Sequence, residues 1–255
     1  MTSTLVAGPT TSTSPASSSS PAPGHWEAAP TWELADGRRA LVRFTGRAEG
    51  DLTQIGPARS LAHRRRRVTA GNDRWTWLRQ VHGSTVVRVT EPGEHAATQA
   101  DAAVTTVSGA PLAVRTADCA GVALVSPDGV IGVAHAGWRG VVAGVLDATV
   151  EAMRDLGARQ IDAALGPLIH PECYEFGEED LAALVERLGD EVATTTPSGT
   201  PALDLPTAVG AALERLDVAL RGGPGPCTGH DERWFSHRSR RDPQRQATVA
   251  WIEDR

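Results

Sequence analysis

Two apolar segments joined by a short turn constrain most strongly how this chain can fold. The segments are Val122–Val125 and Val130–Ala134, and residues 126–129 between them read SPDG. Asp-Gly between two apolar runs is a strong hairpin signal, because both residues tolerate the left-handed conformations that tight turns need. The sequence therefore predicts an antiparallel hairpin here.

The register of this hairpin decides which polar residues can meet. One register pairs Ser126 with Val130, and it then places His135 opposite Gly121. Cys119 lies one diagonal step from His135 on the same face. Diagonal neighbours are about 7 Å apart, within reach of a shared metal ion. A two-residue turn would shift the pairing by one residue and weaken this argument.

The remaining apolar segments predict strands and helices that are mixed without strict βαβ alternation. The predicted strands include Arg39–Phe44, Thr85–Val89, Ala102–Thr106, Leu112–Thr116, Ile161–Leu165, Trp234–His237 and Ala247–Trp251. The predicted helices are Leu61–Val68, Val141–Leu156, Glu178–Leu188 and Pro206–Leu216. We therefore expect an α/β (α+β) sandwich with a mixed β-sheet. Residues 1–24, rich in Ser, Thr and Pro, predict a disordered tail, and residues 25–255 a single domain.

Composition narrows the class of protein. The 255 residues carry a formal net charge of -6, which argues against a dedicated nucleic-acid binder. No apolar run approaches the roughly 20 residues that span a bilayer, and no secretory signal is expected. Three widely spaced cysteines fit a reducing compartment. We expect a cytoplasmic protein, and the sequence leaves its oligomeric state open.

Cys119 and His135 are candidate zinc ligands, since thiolate and imidazole together suit that ion. His82, which precedes Gly83, is the best candidate for a third ligand, although spacing alone does not fix it. Three protein ligands leave a coordination position open for catalysis. A metal-free cysteine hydrolase, with Cys119 as nucleophile and His135 as base, is the alternative enzyme.

Other polar residues offer weaker hypotheses. Arg139 precedes the helix expected at Val141, where a helix N-terminus favours an anion such as phosphate; a structural salt bridge explains it equally well. Asp118 fits a carboxylate that supports a neighbouring ligand, or a turn residue. His170 and Cys173 are candidate metal ligands or packed side chains. The segment Ser236–Arg238 is a candidate pocket wall or an edge strand, and Cys227 has no assigned role.

Four motifs together resemble the YfiH-like, laccase-domain family, whose members are also called polyphenol oxidases. They are QVHG at residues 80–83, TADC at 116–119, HAGWRG at 135–140 and GPLI at 166–169. The resemblance implies a single-domain sandwich with a His-Cys-His metal site, usually assigned to zinc. Its ligands fall on His82, Cys119 and His135.

The same resemblance implies a purine nucleoside phosphorylase that cleaves adenosine, inosine and guanosine with phosphate. Methylthioadenosine phosphorolysis and adenosine deamination to inosine are attributed to the family as well. We place Arg139, Arg47 and Asp118 at the substrate. The sequence departs from the family at residues 47–52, which read RAEGDL, and at residues 244–246, which read QRQ. Both departures bear on substrate choice.

The laccase label itself is a poor guide to the chemistry. A multicopper oxidase needs four coppers fed by paired histidines, whereas this chain has eight histidines and no His-x-His pair. Copper at the three-ligand site remains an alternative to zinc, because divalent copper generally binds a given nitrogen and sulfur site more tightly. A non-catalytic nucleoside-binding module is the alternative outside the enzymes.

Overall fold

The computed structural model describes residue 1, residues 31–53 and residues 57–254. The strands within them are β1 Thr31–Glu33, β2 Arg39–Phe44, β3 Thr76–Trp77, β4 Val86–Val89, β5 Ala102–Thr105, β6 Leu112–Thr116, β7 Ala120–Ser126, β8 Val130–Ala136, β9 Asp162–Leu165, β10 Ala193–Thr195, β11 Pro201–Leu203, β12 Ala219–Leu220 and β13 Gln246–Glu253. The helices are α1 Ala58–Val68, α2 Trp138–Ala143, α3 Val145–Asp155, α4 Glu178–Leu188, α5 Leu205–Arg215 and α6 His237–Arg240. Short 3-10 turns span Pro171–Cys173 and Asp190–Val192. Apart from Met1, the predicted disordered tail lies outside the described residues.

Two mixed sheets form the body of the fold. The five-stranded sheet has the order β1-β2-β13-β6-β3, and the six-stranded sheet has the order β12-β9-β7-β8-β5-β4. Parallel pairs join β3 to β6, β4 to β5 and β9 to β12, while the other neighbours are antiparallel. The predicted sandwich with mixed pairing is confirmed.

The sheets pack face to face, and helices cover their outer surfaces. One apolar cluster draws on both sheets, with Val42 and Leu112 from one and Ile131 and Val133 from the other. The far face of the six-stranded sheet packs against α2 to α5. Helix α1 contributes Leu61 and Val68 to the cluster on the far face of the five-stranded sheet. The result is four layers, in which alternate residues of a strand face different layers.

The β7–β8 hairpin has the predicted register. Ser126 pairs with Val130, and Gly121 pairs with His135. Gly129 in the turn has a φ of +87°, a conformation that an L side chain rarely adopts. A Cβ on Gly121 would lie 2.2 Å from Thr248 Oγ1 of the other sheet. Glycine at 121 therefore lets the sheets approach closely beside the end of the hairpin that carries His135.

One predicted helix is broken. The segment Val141–Leu156 reads as a single helix, but the structure begins it earlier, at Trp138, and divides it at Gly144. Gly144 has a φ of +82°, and this left-handed residue ends α2 and begins α3. The division leaves α2 only six residues long.

One predicted strand is absent from the described fold. The segment Trp234–His237 forms no strand, because the side chain of Gln246 takes both backbone hydrogen bonds of Phe235. Ser236 then caps α6, which begins at His237. None of the described helices is long and apolar enough to cross a membrane.

Candidate metal centre

Three side chains from separate elements meet at one end of the β7–β8 hairpin. His82 comes from the loop after β3, Cys119 from just before β7 and His135 from the end of β8. Each offers a ligand atom, and these atoms lie within 4.8 Å of one another. The two imidazole centroids are 4.7 Å apart. The structure thus brings together the residues that the sequence motifs single out.

Asp101 holds the loop that carries His82. The backbone N–H groups of Val81, His82 and Gly83 donate to its carboxylate at 2.9–3.2 Å. His82 itself has a φ of +60°, an uncommon left-handed conformation for a non-glycine residue. Backbone strain of this kind persists only where the surroundings fix it. The buried Asp101 therefore sets the position of the first imidazole.

The same carboxylate orients His135. Asp101 Oδ1 lies 2.8 Å from Nδ1 of His135, so Nε2 of that ring is left for a metal ion, as in carboxylate–histidine–zinc arrangements. Sequence reasoning missed Asp101. The signal that could have found it is an acidic residue placed directly before the apolar strand Ala102–Thr105, a position that is fully buried here.

The electrostatics of the two imidazoles differ. Burial lowers the pKa of His82, and the nearby His135 lowers it further, so this ring is neutral and able to bind a metal at pH 7. Burial also lowers the pKa of His135, but Cys119 and Asp101 outweigh burial and raise it to about 9. The surroundings of His135 therefore favour its protonated form, whereas those of His82 favour the neutral form.

The backbone at Gly137 leaves room for an ion. A Cβ there would lie 2.9 Å from Cys119 Sγ and 2.9 Å from His82 Nδ1, so any side chain would crowd the two donor atoms. One thiolate and two imidazoles suit zinc, and three protein ligands are the number found in catalytic zinc sites. The residues present therefore fit the ion that the family resemblance implies.

The three ligands border a cavity of about 650 Å³, a size suited to a small organic ligand. Its lining includes Trp77, Arg79, Arg115, Arg245 and His237. Burial lowers the pKa of Arg115, and the positive charge of Arg245 lowers it further. Among the described residues, Nε of Arg115 has no hydrogen-bond partner. Neighbouring guanidinium groups at one cavity favour an anionic ligand such as phosphate.

Arg139 lies near the metal ligands but outside this lining. Its positive charge contributes to lowering the pKa of His82, and its guanidinium stacks over Trp138 at 4.3 Å. Because α2 has only six residues, the helix dipole adds little to an anion site there. The charge of Arg139 alone remains as a reason to place it at the substrate.

The other two residues placed at the substrate make contacts elsewhere. Asp118, with a φ of +98°, accepts hydrogen bonds from Thr228 Oγ1, Ser236 Oγ and the backbone of Arg238. Those bonds engage both carboxylate oxygens, which fits a positioning role beside Cys119. Arg47 pairs with Asp242 and lines a different cavity, with arginines of α1. Neither residue is among those lining the cavity beside the metal ligands.

An aromatic group lies on another side of Cys119. Trp138 and Tyr174 each pack edge-to-face on Phe176, with centroids 5.3 Å apart. Burial and then the nearby Cys119 raise the pKa of Tyr174 well above its ordinary value. Arg238 lies over the Tyr174 ring at 4.8 Å. Trp138 belongs to the motif at residues 135–140, but sequence reasoning did not predict the aromatic group.

Comparison with known proteins agrees with this architecture. The family model described as multi-copper polyphenol oxidoreductase laccase matches residues 50–253. A purine nucleoside phosphorylase of Streptomyces coelicolor is 42% identical over 184 residues, which cover 71% of this chain and 76% of the relative.

Two solved structures have the same fold. A Neisseria meningitidis protein superposes with a TM-score of 0.74 at 26% identity, covering 88% of this chain and 97% of the other. The YfiH protein of Bacillus licheniformis superposes with a TM-score of 0.70 at 20% identity, covering 85% of this chain and 93% of the other. With the family model matched over most of its length, this chain belongs to the YfiH-like family of laccase-domain proteins.

Proposed function

We propose that this protein is a zinc-dependent purine nucleoside phosphorylase. The observation that carries the proposal is the cluster of His82, Cys119 and His135 at the edge of an arginine-lined cavity. The name of the Streptomyces relative supports the same activity. The substrates are a purine nucleoside and inorganic phosphate, and the products are the free base and ribose 1-phosphate.

The reaction makes one bond and breaks one. A phosphate oxygen bonds to C1′ of the ribose, the C1′–N9 bond breaks, and its electron pair leaves with the purine, which takes up a proton. Arg115 and Arg245 hold the phosphate by charge and forked hydrogen bonds. A divalent cation between the three ligands would supply Lewis acidity that polarises an oxygen of the substrate. Asp101 keeps His135 oriented throughout.

Two arginine sites compete for the phosphate. Arg245 lines the cavity, whereas Arg139 is exposed beside Trp138. If phosphate binds in the cavity, Arg245→Gln should raise the KM for phosphate at least tenfold, while Arg139→Gln should change it less than twofold. Arg245→Lys, which retains the charge, is the matched control. The opposite ranking would place the phosphate at Arg139.

The range of nucleosides follows from the surroundings of the cluster. The cavity beside the cluster has the volume of a small organic ligand, and the Streptomyces relative is named for purine nucleosides as a class. We therefore include adenosine, inosine, guanosine and methylthioadenosine as substrates of phosphorolysis, and adenosine deamination to inosine as a second activity. The three cysteines are free thiols, which fits work in the cytoplasm.

Product analysis tests the proposal. Purified protein with bound zinc is incubated with adenosine, with and without phosphate, and the products are separated by chromatography. Phosphorolysis gives ribose 1-phosphate only when phosphate is present, in an amount equal to the sum of adenine and hypoxanthine. Deamination gives inosine without phosphate, and inosine or the hypoxanthine cleaved from it when phosphate is present. If neither set of products forms when zinc is present, the proposed enzymatic activity is refuted.

A specific contact favours one competing function. Cys119 raises the pKa of His135 by its charge and a hydrogen bond, as in a nucleophilic cysteine activated by histidine. A metal-free hydrolase built on this pair would keep its activity after chelation and lose it on thiol alkylation. The zinc enzyme would lose its activity on chelation and regain it with zinc. A nucleoside-binding module would bind adenosine without forming any product.

The identity of the metal is a separate question. The cluster of His82, Cys119 and His135 cannot supply the several coppers of a multicopper oxidase, so oxidation of phenols is not part of the proposal. Zinc is favoured because one thiolate and two imidazoles are a donor set that suits it. Metal analysis of protein purified without added metal should return zinc, whereas copper in that analysis would change the assignment.

A further inference from the structure

A second group of thiols and an imidazole lies outside the site described above. Cys173, Cys227 and His230 offer ligand atoms that lie within 4.8 Å of one another. Cys173 ends the 3-10 turn Pro171–Cys173, while Cys227 and His230 belong to the loop between β12 and α6. Cys227 is buried, Cys173 is half-buried and His230 is exposed, so the group has a buried floor and an open entrance.

The backbone around the two sulfurs is shaped to hold them together. The N–H of His170 donates to Cys227 Sγ at 3.4 Å, which fixes the position of this sulfur. A Cβ on Gly229 would lie 2.6 Å from Cys173 Sγ. Only glycine at 229 allows the loop to approach this sulfur so closely.

A carboxylate faces the imidazole of this group. Glu172 Oε1 lies 3.3 Å from Nδ1 of His230. A carboxylate that accepts from one ring nitrogen leaves the other free to bind a metal and fixes the orientation of the ring. The arrangement repeats, at a second place, the relation between Asp101 and His135.

We propose that Cys173, Cys227 and His230 bind a second zinc ion, with Glu172 as a positioning residue for His230. Two thiolates and one imidazole are soft to borderline donors, which select zinc over magnesium or calcium. Because His230 is exposed, water can reach the ion and serve as its fourth ligand. The donors number three, as in the first site, but the cavity beside the first site is not part of this one.

The second ion would join two loops that support the first site. It would fix the turn Pro171–Cys173 to the loop that contains Thr228. Thr228 Oγ1 donates to Asp118 at 2.7 Å, and Asp118 precedes Cys119. The role of the second ion is therefore to stabilise the loop of Thr228, which positions Asp118 beside the first site.

The cysteine content of the chain makes a sharp test possible. The chain has three cysteines, so Cys119→Ala removes the only thiol of the first site and leaves only Cys173 and Cys227. Cobalt(II) replaces zinc and gives intense charge-transfer absorption only when thiolates bind it. Reduced, full-length Cys119→Ala protein is titrated with cobalt(II), and its absorption spectrum is recorded.

The proposal predicts thiolate charge-transfer absorption that saturates at one cobalt per chain and disappears when zinc is added. The absorption should be lost in Cys119→Ala/Cys227→Ser. In Cys119→Ala/His230→Gln, the apparent affinity for cobalt should fall at least tenfold. Cys119→Ala/His63→Gln, altered at an exposed histidine of α1, is the matched control and should titrate like Cys119→Ala.

Two results would overturn the proposal. One is the absence of thiolate absorption in reduced Cys119→Ala at excess cobalt, and this result stands even if the double variants fold poorly. The other is an unchanged titration in a folded Cys119→Ala/His230→Gln protein, which would remove the imidazole from the site.

Discussion

Single residues decide whether a cation fits between the three ligands. The motifs give the ligand types, but the groups that orient them are not local in sequence. Asp101 is 34 positions from His135. Its contact with the His82 loop is made by backbone N–H groups, which every residue except proline has, so no residue type in the sequence indicates it. Such contacts could not be predicted from spacing, because they arise only when the loop after β3 reaches the start of β5.

Gly137 gives the sharpest prediction at this scale. Its φ of -72° suits alanine, but the added Cβ would lie 2.9 Å from both Cys119 Sγ and His82 Nδ1. Gly137→Ala should therefore lower zinc affinity at least tenfold with little change in the melting temperature. Gly177→Ala is the matched control, since this glycine also begins a helix, has a φ of -70° and has open space where a Cβ would go. Competition with a chromogenic chelator measures the affinity; equal affinities in the two variants would count against the geometry.

Asp101 gives a second prediction. Asp101→Asn retains the shape of the side chain but removes the charge that orients His135 and accepts the N–H groups of residues 81–83. Loss of a carboxylate behind a metal-bound histidine typically weakens metal binding about 10- to 100-fold. Isothermal titration of the metal-free variant with zinc measures this, and wild-type affinity would show that the carboxylate is dispensable.

At the scale of elements, local chemistry explains which predictions succeed. The Asp-Gly turn fixes the register of the β7–β8 hairpin, and that register is confirmed. The break at Gly144 was missed because an isolated glycine is tolerated inside a helical pattern. The strand expected at Trp234–His237 is wrong because a long-range contact, from Gln246 to Phe235, replaces strand pairing. Local signals predict turns well, whereas contacts between distant segments override apolar patterns.

The hairpin turn also yields a prediction about pH. A hydrogen bond from Arg159 lowers the pKa of Asp128 from 3.8 to about 2. A lowered pKa in the folded protein means that this contact stabilises the fold above pH 3.8, and that the stabilisation is lost as pH falls towards 2. Arg159→Ala should therefore lower the free energy of unfolding at pH 5, and the difference from wild type should shrink as pH falls through this window. Urea unfolding at several pH values measures it; a difference that grows towards low pH would contradict the assignment.

For the whole molecule, two sheets packed face to face hold the ligands in one place. The fold class could be predicted from the mixture of apolar strand and helix patterns. The division into two sheets could not, because β13 joins the sheet of β2 and β6 only after the whole chain has folded back. Trp32 of β1 donates to Asp162 of β9 at 3.0 Å, which links the two sheets directly. The site thus depends on packing between segments from both ends of the described chain.

The core between the sheets sets the stability of the whole fold. Ile131 is fully buried there. Ile131→Val should lower the free energy of unfolding by about 0.5–1.5 kcal/mol, and Ile131→Ala by about 2–5 kcal/mol, since larger deletions leave a larger cavity. Urea unfolding followed by both tryptophan fluorescence and circular dichroism should show one shared transition. Separate transitions for the two probes would mean that the sheets unfold independently.

The most direct test of the metal-dependent reaction is a zinc titration of adenine release. Metal-free wild type and Cys119→Ala are each titrated with zinc in the presence of adenosine and phosphate, and free adenine is measured. The wild-type rate should start near zero, rise with zinc and saturate, while Cys119→Ala should stay at the baseline throughout. Full adenine release by wild type before zinc is added, or recovery of the wild-type rate by Cys119→Ala, would contradict a reaction that depends on an ion held by His82, Cys119 and His135.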